Sequence, residues 1–167
     1  MGPGQDSARP FHGRQALRIA NPFDQASGLA RAQYIHAFAA RGASRGGIPV
    51  EVGKTYVFSA YLRAEKPGAA AVLSIYNFVW NSPVDKEGAS QRFRLTTDWQ
   101  RYEVACSIPR EGWTRGFRPE VTLFIQSQAV TGSIWADAVQ LEEGPRATPY
   151  IVDGCVAAIS RRSWTER

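Results

Sequence analysis

The chain has 167 residues, 44% of them apolar and 21% charged, with 20 Lys+Arg against 15 Asp+Glu for a net charge of +5. A chain of this size buries a core of its own as one domain, and this composition excludes wholesale disorder. The basic excess is scattered arginine, with Arg161-Arg162 as its one doublet, so the clustered basic face of a nucleic-acid groove is absent.

Residues 1–10 read as a disordered arm, rich in Gly and Pro. Met1–Ser7 carries no apolar stretch of signal-peptide kind, and Asp6 fails the myristoylation pattern. Beyond the arm, short apolar runs alternate with turn residues. Strands are expected at Arg14–Ala20, Gln33–Ala40, Gly47–Val52, Thr55–Ala64, Ala70–Trp80, Gln91–Thr96, Arg101–Ile108, Glu120–Ser127 and Ser133–Glu142. Breaks fall at Asn21-Pro22, Gly53-Lys54, Lys66-Pro67-Gly68, Asn81-Ser82-Pro83, Thr131-Gly132 and Gly144-Pro145. Asp24–Arg41 is Ala-rich, but Gly28, Gly42 and the run Tyr34-Ile35-His36-Ala37-Phe38 favour a loop followed by a strand. Many short strands with turn signals between them mean an all-β fold, an antiparallel sandwich or barrel. The uncharged run Pro67–Val84 is too broken by Pro, Gly, Ser and Asn to span a membrane.

Alternation assigns the faces. In Tyr56–Arg63, Tyr56, Phe58, Ala60 and Leu62 share the core face, and Val57, Ser59, Tyr61 and Arg63 the other. Leu73, Ile75 and Val79 oppose Ser74, Tyr76, Phe78 and Trp80; Val121, Leu123 and Ile125 oppose Thr122, Phe124 and Gln126. Each strand thus offers an aliphatic face to the core and a mixed aromatic-polar face to something else. Cys106 falls in a strand and Cys155 in the tail, with no Cys-x-x-Cys to suggest a zinc or redox site. A single disulfide and a free, partly buried Cys106 thiol are both open, the second preferred.

Three segments in this order and spacing resemble known modules. They are Val52–Ala64, Leu95-Thr96-Thr97-Asp98-Trp99-Gln100-Arg101-Tyr102, and Gly132–Gly144 followed by Ala147-Thr148-Pro149-Tyr150. The resemblance is to the carbohydrate-binding modules of families four, nine, sixteen and twenty-two, the galactose-binding-domain-like jelly rolls. It covers residues 11–150 as one domain and leaves 151–167 as a linker or the start of a following segment. The Asn-Gly-x-Phe-Glu-like opening strand of such modules has no counterpart before Phe11-His12-Gly13-Arg14, so both a fold with its first strand and one without it stay open. The resemblance also implies a structural calcium ion at Asp137; the alternative is that Asp137 accepts backbone hydrogen bonds in a turn of the sheet.

Sugars present flat C–H patches edged by hydroxyls, which suit aromatic faces beside planar polar groups. The expected carbohydrate-binding residues are therefore Tyr61, Arg63, Tyr76, Asn77, Phe78, Trp80, Trp113 and Gln126. Structural places are expected for Trp99, capping the core beside Tyr102, for Trp135 at a sheet edge, and for Tyr150 at the end of the domain. Catalysis is not expected. The histidines are His12 and His36 alone, no Gly-x-Ser-x-Gly elbow or metal-ligand spacing occurs, and no carboxylate pair is placed across a cleft. A non-catalytic accessory module of a larger extracellular or cell-surface glycan-active protein follows, with polysaccharide or oligosaccharide and an adjacent catalytic domain as partners. The alternative is a structural or protein-interaction jelly roll of a surface or phage-tail-like assembly.

Overall fold

The structure, a computed structural model, describes residues 4–20, 48–76, 87–111, 119–127 and 132–150. Every regular element among them is a strand: β1 Gly4–Asp6, β2 Ala16–Ala20, β3 Ile48–Pro49, β4 Thr55–Ala64, β5 Ala70–Tyr76, β6 Glu87–Arg94, β7 Gln100–Ser107, β8 Glu120–Ser127 and β9 Ser133–Glu143. They form two antiparallel sheets, ordered β1-β2-β9-β4-β7 and β3-β8-β5-β6. The expected sandwich is what the chain folds into. The strand and loop expected within Asp24–Arg41 lie outside the described residues.

The inner faces meet in one core. Phe58, Ala60 and Leu62 of β4, Ala71, Leu73 and Ile75 of β5, Val104 and Cys106 of β7, and Val121, Leu123 and Ile125 of β8 pack together with Ile19, Ile134 and Leu141. β-Branched and aromatic residues at every second position fit a pleated strand, and burying one such side chain contributes about 1.5–3 kcal/mol. Cys106 is free and buried within this core, and burial pushes its thiol pKa up.

Two features depart from the sequence expectation. The arm expected to be loose adds β1 to the edge of the five-stranded sheet, pairing Gly4–Asp6 with Arg18–Ala16. Its anchor is a side chain far away in sequence: the Trp135 indole N–H donates to Asp6 Oδ2 at 2.8 Å. Ser59 of β4 opposes Gln140 of β9 while Tyr61 opposes Asp137, so β9 spends one residue more than β4 over this stretch. This is a β-bulge, and Ala138 takes φ 47 within it. The extra residue sets Asp137 and Gln140 on the same, outer face although three positions separate them.

The turn into β9 is held from across the sheet. Glu65 Oε2 accepts the Ser133 backbone N–H at 2.9 Å and lies against Gly132, whose φ is +87. A Cβ at residue 132 would stand 3.0 Å from that oxygen, so glycine suits the position on both counts.

Candidate functional site

A two-layer sandwich has two outer faces, and a site built on strands lies on one of them or at a rim. The outer face of the five-stranded sheet carries Val57, Ser59, Tyr61 and Arg63 of β4 beside Trp135, Asp137 and Gln140 of β9. Val57 and Ser59 are nonetheless fully buried, and Trp135 and Gln140 nearly so. Residues 6–12 and 145–150 lie over this face and close it.

The closure is specific. Asp137 Oδ2 accepts the backbone N–H groups of Phe11 and His12 at 2.9 and 3.0 Å, and its Oδ1 accepts that of Ala138 at 2.7 Å. This seats the Phe11 ring flat on Tyr61, with centroids 3.6 Å apart and planes 14° from parallel. Tyr150 packs edge-on against Phe11, Tyr61 and His12. Arg63 lies 3.9 Å over the Trp135 ring and 5.3 Å from Trp99, and donates to Ala8 O. Its pKa is lowered by desolvation first and then by the charge of Arg9. Stacking on the two indole rings offsets part of that desolvation.

Arg101 of β7 ties down the C-terminal strap. Its Nη2 donates to Ser59 Oγ at 2.9 Å and Gln140 Oε1 at 2.5 Å and lies 3.6 Å from Glu142 Oε2, while Nη1 reaches Thr148 O. Glu142 in turn accepts from the Thr148 hydroxyl.

These contacts revise several expectations. Trp99 does not cap the core beside Tyr102. It lies in the outer layer near Phe11, its indole N–H donating to Arg9 O, whereas Tyr102 packs inside on Phe93. Trp135 is on an interior strand rather than at a sheet edge, because β9 lies between β2 and β4. Tyr150 does stand at the end of the domain, against Tyr61 and Phe11. The surroundings of Asp137 do not fit calcium. Both its oxygens accept backbone N–H groups, and among the described residues no cluster of three His, Cys, Asp or Glu side chains could hold an ion.

The outer face of the four-stranded sheet differs in chemistry. The ladder aligns Arg92, Val72 and Gln126 across β6, β5 and β8, and then Ser90, Ser74 and Phe124 in the next outward row. The Ser74 and Ser90 hydroxyls are hydrogen-bonded at 2.9 Å, confirming that they share this face. Tyr76 and Thr122 form the following pair. Gln126 and Thr122 are half-exposed, Ser90 and Arg92 exposed, and Phe124 is buried.

Sheet membership therefore divides the expected site. Tyr61 and Arg63 belong to β4 in one sheet, and Tyr76 and Gln126 to β5 and β8 in the other. Packed sheets lie about 10 Å apart and their outer faces point away from each other, so the two groups do not form one surface. Asn77, Phe78, Trp80 and Trp113 lie outside the described residues. The sequence reading passed over Ser90, Arg92 and Arg94, although the spacing Ser90-x-Arg92-x-Arg94 around the inward Phe93 signals one polar face.

No protein-family model matches this chain, and no curated protein matches it in sequence. Solved structures do match it in fold. A family 16 carbohydrate-binding module aligns with TM-score 0.54 and 12% identity over 83% of this chain and 84% of that one. The xylanase 10B of Clostridium thermocellum, solved as a family 22 binding module with its catalytic module and xylohexaose, aligns at 0.53 and 13% identity, over 89% of this chain and 25% of that one. The enzymatically active domain of tailspike protein 4 from bacteriophage CBA120 aligns at 0.51 and 12% identity, over 85% of this chain and 17% of that one. The chain thus has the jelly-roll sandwich fold of carbohydrate-binding modules.

Proposed function

We propose that this chain is a non-catalytic carbohydrate-binding module, and that its saccharide surface is the outer face of the four-stranded sheet. The observation that carries the reading is the contrast between the two outer faces. One is closed by residues 6–12 and 145–150, whereas the other bears Arg92, Ser90, Ser74, Thr122 and Gln126 in adjacent rows. Hydroxyl, amide and guanidinium groups on a rigid sheet match the donors and acceptors around a sugar ring. In sequence Tyr76 ends β5 and is followed by Asn77, Phe78 and Trp80, which we take as candidate ligand groups, the rings for stacking and the Asn77 amide for hydrogen bonding. Trp113 is a further candidate ring.

The fold's occurrence beside a xylanase catalytic module supports an accessory role. A linked catalytic domain gains effective concentration at its substrate when the module holds the polymer. Such a pair works outside the cell, at the cell surface or beyond.

Glycan-array screening of the full chain, with and without calcium, tests the reading. Gln126→Ala and Trp80→Ala are expected to lower retention at least tenfold with the far-UV CD spectrum unchanged. Retention unchanged in both variants overturns this choice of face. A protein-interaction role in a tail-like assembly is the second reading, favoured by the tailspike match. Under it the array stays blank in every condition.

A further inference from the structure

The charges on the same face point to the kind of glycan. Arg92 and Arg94 occupy successive outward positions of β6, opposite Val72 and Ala70, with Phe93 between them turned toward the core. Two residues along a strand put them about 7 Å apart. Both are exposed, and neither guanidinium has an ion-pair or hydrogen-bond partner among the described residues. Lys66, also exposed, is in the β4–β5 turn at the same end, where Gly68 and Leu95 are joined by a backbone hydrogen bond. Gln126 completes the row two strands over, about 10 Å from Arg92.

Among the described residues, no carboxylate is paired with the cations at this end. By register, positions 87 of β6 and 120 of β8 stand at the opposite end of the sheet, opposite Tyr76 and Pro49. Glu65 of the same turn is engaged by the Ser133 N–H, and Asp98 is in the turn that leads into β7 of the other sheet. One end of the face is therefore a cationic strip edged by an amide.

Charges on an edge strand also deter sheet-to-sheet association, and β6 is an edge. That role is served by a charge of either sign at any position along the edge. It does not require two guanidinium groups on one face, in line with an amide and two hydroxyls.

We infer that the glycan recognised here is anionic, a polysaccharide bearing uronate carboxylates, with Arg92 and Arg94 gripping successive acid groups and Gln126 a neighbouring hydroxyl. The inference rests on the proposed carbohydrate-binding function and narrows it. The planar fork of arginine matches a carboxylate in two parallel hydrogen bonds, which lysine cannot reproduce.

The test measures retention of the full chain on polygalacturonate and glucuronoxylan, each beside its carboxyl-reduced form, with dextran sulfate as a second anion. The expected result is retention on at least one uronate polymer and at least tenfold weaker retention on its reduced form. The Arg92→Gln/Arg94→Gln double variant should lose at least tenfold on the acidic polymer. Arg92→Lys should recover only part of that, and Arg14→Gln, an exposed cation elsewhere, should change nothing. Equal retention on acidic and reduced polymers overturns the inference and leaves the carbohydrate-binding reading standing. Retention on no glycan of any kind removes both. Retention on dextran sulfate equal to that on uronate, with Arg92→Lys fully active, refutes the carboxylate assignment in favour of unspecific polyanion capture. A double variant that self-associates while keeping its affinity for the acidic polymer assigns the two arginines to edge protection and overturns the inference.

Discussion

Asp137 is expected to act as a hydrogen-bond clamp, and removing its carboxylate should release the strap that covers the five-stranded sheet. Asp137→Ala deletes the acceptor shared by the Phe11 and His12 N–H groups, at 2.9 and 3.0 Å, and with it the constraint that seats Phe11 on Tyr61. A hydrogen bond to a charged group contributes about 1.5–3 kcal/mol. The freed amides are only part-buried and can turn to water, so the low end applies to each, about 3 kcal/mol for the pair. For a domain of this length 1 kcal/mol corresponds to about 2–4 °C, giving a fall in Tm of roughly 6–12 °C. Thermal unfolding by circular dichroism measures this, and hydrogen exchange at Phe11 and His12 measures the local release. Asp137→Asn, with one acceptor oxygen left, should lose about half as much. Added EDTA or calcium should leave the wild-type Tm unmoved. A Tm that drops with EDTA as far as with Asp137→Ala, or amides that stay protected in the alanine variant, would refute the clamp.

Other outcomes follow from the same geometry. Asp6 has its pKa lowered below 3.8, chiefly by the Trp135 indole N–H and then by the Ala8 backbone N–H. A depressed folded pKa gives stability that is full above the ordinary carboxylate value and disappears as pH falls through the folded value. Tryptophan fluorescence should therefore report loosening of β1 only below about pH 4, and Asp6→Asn should abolish that transition; a transition centred above pH 5 would contradict it. Leu62 is fully buried between the sheets, so Leu62→Ala should cost about 2–5 kcal/mol in urea unfolding. A cost below about 1 kcal/mol would show that the sandwich is not closed there.

The strands were the most legible part of the sequence. Thr55–Ala64 and Glu120–Ser127 are bounded in the structure where alternation and turn residues bound them in the sequence. Phe58, Ala60 and Leu62, and likewise Leu123 and Ile125, are periodic enough to name the core face without coordinates. What alternation cannot carry is which sheet a strand joins. It assigned Tyr61 and Gln126 equally to an outward face, and the pairing of β4 with β7 and β9 and of β8 with β5 sends them to opposite sides. Nor can a local pattern reveal a cover supplied from far along the chain. Phe11 and Asp137 are 126 residues apart at their hydrogen bond, so Tyr61 reads as an open platform until the strap is seen. The β-bulge at Ala138 is a similar case, because the chain carries no glycine there to mark the positive φ. The candidate face is half legible: alternation marks Tyr76 and Gln126, but Arg92 and Arg94 read in sequence as scattered surface charge.

The contact between Phe11 and Tyr150 has an architectural consequence. Positions 139 apart along the chain are brought side by side on one flank, with the candidate sugar-facing sheet on the other. The segment after β1 and the segment after β9 are thus pinned to each other as well as to the sheet beneath them, so loosening either one should loosen both. This bracing stiffens the strapped flank alone and leaves the proposed polymer-facing sheet to depend on its own ladder.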